Sequence, residues 1–155
     1  MPLKPSGERL TKKRNRVVID TGVLISAFAF GGVPEKAVKK AFKHSAIFVS
    51  QPLIEEYRDT PLKLEERGKI THQQMKALIA GIAAFVANAK VVHPSKKVSL
   101  CRDPEDNMVL ECCLAAKAGT LITGDKDLLD IGDLPFDLKI VTPQESVGYR
   151  ISKKP

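Results

Sequence analysis

The sequence predicts an α/β fold built around a parallel sheet. Short apolar runs of strand length alternate with longer stretches of helical spacing. Several joins between them carry residues that start helices: Pro34, Ser50 with Pro52, Thr71, and Asp103 with Pro104. A chain of 155 residues suits a single domain, burying roughly 70% of its unfolded surface without disulfides or a structural metal. Hydrophobic residues make up 43% and charged residues 28%, which excludes a disordered tail. The apolar runs fall far short of the roughly 20 residues of a membrane span.

Val17-Val18-Ile19 forms the first buried strand and ends at Asp20. Gly31-Gly32-Val33-Pro34 breaks the chain, and Pro34 opens a helix that runs to about Lys43. Ala46-Ile47-Phe48-Val49 reads as the second strand. Ser50 caps the next helix, and residues 61–70 read as a short polar linker or helix. Thr71 caps a long helix from His72 to about Ala87, with Met75, Leu78, Ile79, Ile82 and Phe85 at helical spacing. Residues 90–93 form a third strand. Asp103-Pro104 opens a helix that ends near Gly119. Residues 120–123 and 139–141 form the fourth and fifth strands, and Thr142-Pro143-Gln144-Glu145 starts a terminal helical turn.

The net charge of +7 is unevenly spread: residues 1–16 carry +5, residues 150–155 carry +3, and the body between them −1. Basic ends of this kind suit a polyanion such as nucleic acid, and also suit plain solubility. Residues 1–15 read as a flexible basic extension, 16–148 as the folded domain and 149–155 as a basic tail. The first residues lack the apolar core of a signal peptide, so a cytoplasmic location is expected, with no membrane partner. Of three cysteines two are adjacent, Cys112 and Cys113, and His44, His72 and His93 lie far apart. Neither set has the spacing of a disulfide framework or a zinc site.

The acids carry more information. In an open parallel sheet, ligands bind beyond the carboxyl ends of the strands, where the strand order reverses. Asp20 follows the first strand and Asp125 follows the fourth, so both point into one crevice if those strands are central; each also suits a cap or turn. Advancing about 100° per residue from Asp106 places Val109, Leu110 and Cys113 within about 60° of it, so Asp106 lies on its helix's apolar stripe. A carboxylate there is costly unless cations or hydrogen-bond donors satisfy it, although the helix dipole gives partial relief. Asp103 is explained as the helix cap, and Glu105 and Glu111 point elsewhere. On the helix after Ser50, Glu56 falls about 107° from the centre of the apolar face and Glu55 about 153°, so Glu56 is the border residue.

One pocket holding Asp20, Glu56, Asp106 and Asp125, with Asp127 as a fifth acid, cannot keep every carboxylate ionised unassisted. Either some stay protonated or a hard divalent cation neutralises them, and oxygen-only ligands favour Mg²⁺ or Mn²⁺ over zinc. Such ions polarise phosphoryl oxygens and activate water, the chemistry of phosphodiester hydrolysis.

Four stretches, Val-Val-Ile-Asp-Thr-Gly-Val-Leu-Ile-Ser-Ala (17–27), Ser-Gln-Pro-Leu-Ile-Glu-Glu-Tyr (50–57), Cys-Arg-Asp-Pro-Glu-Asp-Asn (101–107) and Leu-Ile-Thr-Gly-Asp-Lys-Asp-Leu-Leu (121–129), resemble PIN-domain proteins. The similarity is strongest to toxin components of toxin–antitoxin systems and runs from about residue 16 to 147. The resemblance implies a three-layer α/β sandwich with a five-stranded parallel sheet and a metal-dependent ribonuclease site. It matches Asp20, Glu56, Asp106 and Asp125 to the family's acids, and Thr123 and Asp127 to supporting positions. It also implies a homodimer and a cognate antitoxin protein. One departure stands out: Gly22 occupies the position that usually holds Asn after Asp-Thr, removing an amide that could orient Asp20 or contact substrate.

On this reading Asp20, Asp106 and Asp125 bind the metal, Glu56 completes the site or positions the attacking water, and RNA is the substrate. Arg14, Arg16, Arg102 and Lys126 are candidates for phosphate contacts. Two Tyr, six Phe and no Trp offer no obvious basis for selectivity by base stacking. The competing reading is a catalytically weakened PIN-fold RNA-binding or regulatory module, which Gly22 supports. A phosphoacceptor receiver domain would need an acidic pair after the first strand, but Asp20 is followed by Thr21. A haloacid-dehalogenase-type phosphatase would need Asp-x-Asp there, which is missing.

Overall fold

The computed structural model describes residues 15–148; the basic extension up to Arg14 and the tail from residue 149 lie outside the described residues. Five parallel strands are ordered β3-β2-β1-β4-β5 and flanked by helices, a three-layer α/β fold. The strands are β1 (Arg16–Ile19), β2 (Ala46–Ser50), β3 (Lys90–Val92), β4 (Thr120–Ile122) and β5 (Lys139–Val141). Val17, Val18 and Ile19 are all buried, as expected of a central parallel strand covered on both faces. Pairing Val18↔Leu121 and Ile19↔Ile122 sets β1 and β4 so that their carboxyl ends lie level.

Two helices were not legible in advance. The first, α1 (Thr21–Phe30), follows β1 directly, with Asp20 as its N-cap. Thr21, Val23, Leu24, Ile25 and Ala27 are buried, so the segment is apolar around much of its circumference and shows no one-sided stripe. Gly31, at φ 72°, ends it and lets α2 (Gly32–His44) begin two residues before the expected Pro34.

The helix capped by Ser50, α3 (Gln51–Glu66), runs on through the buried Pro61, where a linker or short helix was expected. Pro61 removes one intrahelical N–H, and Thr60 Oγ1 donates to the Glu56 carbonyl at 2.8 Å in the turn before it. Next come α4 (His72–Ala87), with the Thr71–Gln74 capping box, and α5 (Pro104–Ala116). The second unanticipated helix is the single turn α6 (Lys126–Leu129); α7 (Pro143–Ser146) is the expected terminal turn. Cys101, Cys112 and Cys113 are free thiols. Among the described residues no helix is long and apolar enough to cross a membrane.

Candidate active site

From β1 the sheet continues through β2 and β3 on one side and through β4 and β5 on the other. The order therefore reverses beside β1 and β4, the place where an α/β sheet opens a crevice. Asp20 stands there, its N–H donating to the Ile122 carbonyl of β4 at 2.9 Å. Asp20 Oδ1 accepts from Thr21 N at 2.9 Å, and Oδ2 accepts from Thr123 Oγ1 at 2.6 Å. The fully buried Thr123 Oγ1 also accepts from Asp125 N at 3.0 Å. One hydroxyl thus ties the acid after β1 to the acid after β4. Asp125 in turn caps α6, its Oδ1 accepting from Asp127 N at 2.9 Å.

Glu56 reaches the same place from α3. Its neighbour Tyr57 is wholly buried and donates its hydroxyl to the Ile19 carbonyl at 2.6 Å, which fixes α3 against the last residue of β1. Glu56 Oε1 accepts from the Thr21 hydroxyl. From α5, Asp106 lies on the buried stripe with Val109, Leu110 and Cys113 and is only 8% exposed. Asp20, Glu56, Asp106 and Asp125 line one cavity of about 910 Å³ together with Asp103 and Glu105.

Six acids face that cavity, and among the described residues Lys69 is the one cation that lines it. The electrostatics follow. Burial pushes Asp20 above the usual carboxylate range, with the Thr123 and Thr21 hydrogen bonds pulling back and the Asp125 charge adding to the rise. Burial carries Glu56 to about 7 against the Thr21 hydrogen bond, with Glu105 and Asp20 contributing. Asp106 also reaches about 7, through burial first and then the charge of Asp125, a hydrogen bond shared with it, and the charges of Asp103 and Asp20. A pocket whose acids resist ionising together is one that a divalent cation would stabilise.

Carboxylate oxygens of Asp106, Asp125 and Asp127 lie within 4.8 Å of one another. This tight group contains Asp127 where the sequence reading had Asp20 beside Asp106 and Asp125. Asp20 keeps its place at the cavity wall, held by Thr21 and Thr123.

Sequence reasoning did not single out Thr21, and it read Glu105 as pointing elsewhere, whereas Glu105 lines the cavity. Glu105 lies about as far from the apolar stripe of α5 as Glu56 does from that of α3, so the argument that selected Glu56 applied to it as well. The basic candidates are scattered. Arg16 begins β1, at the strand end remote from Asp20; it donates to the Ala116 carbonyl at 3.0 Å and stacks 5.1 Å from the Phe48 ring centre. That is a packing role. Lys126 is exposed and pairs with Asp130 at 3.4 Å, Arg102 is exposed, and Arg14 lies outside the described residues.

Residues 16–127 match the family model described as the PIN domain. The chain belongs to the PIN-domain family. Over 149 residues this PIN domain is 28% identical to the uncharacterized protein MJ1680 of Methanocaldococcus jannaschii, covering 90% of this chain and 94% of that one. In fold it is similar to PAE2754 from Pyrobaculum aerophilum, with a TM-score of 0.58, 16% identity and coverage of 91% and 92% of the two chains. It is also similar to VapBC2 from Rickettsia felis, solved bound to a DNA fragment from their promoter. The TM-score there is 0.57, with 12% identity and coverage of 82% of this chain and 98% of that one.

Proposed function

We propose that this PIN-domain protein is a divalent-cation-dependent endoribonuclease serving as the toxin of a toxin–antitoxin pair. Asp20, Glu56, Asp106 and Asp125 are its catalytic residues, and Thr123 and Asp127 support them. The observation that carries this reading is the cavity itself, with six acids against one lysine and two of the acids held near 7. The four sequence motifs and the likeness in fold to VapBC2 support the toxin assignment.

The donor set fits Mg²⁺ or Mn²⁺, which Asp106, Asp125 and Asp127 would hold, with Asp20 alongside. Bound there, the ion supplies Lewis acidity at a phosphoryl oxygen and a more acidic water. Asp20 keeps a fixed orientation because Thr123 holds Oδ2 and the Thr21 amide holds Oδ1. Thr21 holds Glu56 Oε1, and Glu105 crowds the same carboxyl, which takes a proton from the water that attacks phosphorus in line with the departing 3′-oxygen. A carboxyl held near 7 suits that proton transfer at neutral pH.

The same cavity is also lined by the apolar Ile25, Ala29, Leu64 and Ile70 and by Phe30, which is 83% exposed. This surface suits an apolar segment of a cognate antitoxin, and the exposed Phe28 and Leu62 suit a homodimer contact. Incubating labelled RNA and Mn²⁺ with the protein and with Asp20→Asn tests the central assignment. Cleavage by the first alone is expected, and equal cleavage by both refutes it.

One observation favours the second reading, an RNA-binding module with weakened catalysis. Gly22 lines the cavity with nothing within 4 Å of the place where its Cβ would stand, leaving the wall without a polar side chain there. Such a module would bind RNA equally in EDTA and leave it intact.

A further inference from the structure

The outer face of α2 carries a row of lysines that the acid site does not use. Lys36, Lys39, Lys40 and Lys43 are all exposed and recur at the i, i+3, i+4, i+7 spacing of one helix face, while Ala37, Val38 and Ala41 are buried on the other. The row starts two residues after Pro34, which lines the acid-bearing cavity. At 1.5 Å per residue it extends about 10 Å, the rise of about three stacked nucleotides. It ends beside His44, whose carbonyl accepts from Asn15 Nδ2 at 3.2 Å.

Few acids oppose it. Glu35 reaches Lys39 at 3.2 Å, but both side chains are well exposed and such a pair holds little in water. Glu145 shares a shallow groove with Lys40, whose ammonium donates to the Ser146 carbonyl at 2.8 Å. Among the described residues Lys36 and Lys43 have no ion-pair partner. The two basic ends of the sequence join the described fold at this face. One joins at Asn15, bonded to His44, and the other at Gly148, where a Cβ would stand 3.2 Å from Lys40 Nζ.

We propose that this row is a phosphate track: an RNA strand leaving the acidic cavity runs along α2, and its successive backbone phosphates pair with Lys36, Lys39 and Lys43. The strand's destination rests on the nuclease reading; the charge of the track does not. Lysines act on phosphates as point charges, so the contact is sequence-independent and sensitive to salt.

Fluorescence anisotropy of a labelled single-stranded oligouridine, titrated in EDTA at several salt concentrations, tests this. The full chain is compared with Lys36→Gln/Lys39→Gln/Lys43→Gln and with the corresponding Arg triple. The Gln triple should bind roughly tenfold more weakly or worse, with a log–log salt slope smaller by about 2, at about 0.7 per lost contact on a single strand. The Arg triple should bind as the parent does. Unchanged affinity and slope in the Gln triple overturn the proposal. So does a Gln triple that keeps RNA binding but loses binding to phosphatidylserine vesicles, which assigns the row to an anionic membrane surface. If the parent protein cleaves no RNA with Mn²⁺ while the Gln triple loses binding, the track stands and the nuclease reading falls. Metal-dependent cleavage with normal binding by the Gln triple sinks the track alone.

Discussion

Thr123 donates to Asp20 Oδ2 at 2.6 Å while accepting the Asp125 N–H on the same oxygen. This buried hydroxyl orients two acids without facing substrate itself. Thr123→Val keeps the shape and removes both bonds, so affinity for Mn²⁺, measured by calorimetric titration, should fall roughly 10–100-fold. Thr123→Ser should restore most of it. Parental affinity in the Val variant would show that Asp20 and Asp125 need no such tie.

Stability without metal should depend on pH in an unusual direction. Asp106 and Glu56 titrate near 7 in the folded chain, far above ordinary carboxylates. The folded state therefore holds protons that the unfolded chain has released, and stability falls as pH rises from about 4 through about 7, then levels off. In EDTA the melting temperature should be lower at pH 8 than at pH 5, and Mn²⁺ should restore it. Asp106→Asn removes one crowded charge. It should raise the melting temperature at pH 8 by about 2–4 °C for each ~1 kcal/mol relieved, while cleavage is lost. A melting temperature that rises from pH 5 to pH 8 in EDTA would contradict the burial assigned to these acids.

Glu105 gives a way to separate the role of Glu56 from that of the metal group, because its charge is the largest one raising Glu56. The low-pH limb of kcat/KM should reflect deprotonation of Glu56, and Glu105→Gln should move that limb to lower pH. Glu56→Gln should reduce kcat by roughly 10²–10⁴-fold, the usual cost of losing a general base. A limb unmoved by Glu105→Gln would remove Glu56 from the proton transfer.

Much of this site could be read from periodicity alone. Asp106 falls on an apolar stripe, where an unexplained carboxylate is conspicuous, and Asp20 and Asp125 follow strand-length runs that the fold class places at one crevice. The helix α1 could not be read, because Val23, Leu24, Ile25 and Ala27 are buried together and leave no polar face to set a period. Nothing local singles out Thr21, whose reach across to Glu56 on α3 depends on tertiary packing 35 residues away in sequence. Residues 61–70 stayed open between linker and helix; the structure carries α3 on to Glu66 with Pro61 on its buried side. Asp127 was legible as a fifth acid, but its place in the tight group with Asp106 and Asp125 depends on the turn α6, too brief to show any pattern.

Gly22 offers a test of the weakened-enzyme reading. A side chain there meets open space, and its backbone is not in the left-handed region, so Gly22→Asn should fold normally. The helix should gain a few tenths of a kcal/mol from the lost glycine freedom. If the missing amide limits catalysis, steady-state cleavage should rise in kcat with KM little changed. A variant slower than the parent would mean that the open wall at Gly22 is needed by the substrate.

The account stands on carboxylates from separate segments jointly holding a divalent cation. The most direct measurement is anomalous diffraction from crystals of the full chain grown with Mn²⁺. The expected result is a peak bounded by Asp106, Asp125 and Asp127, with Asp20 on its near side. Manganese peaks elsewhere on the protein and none among these four acids would contradict it.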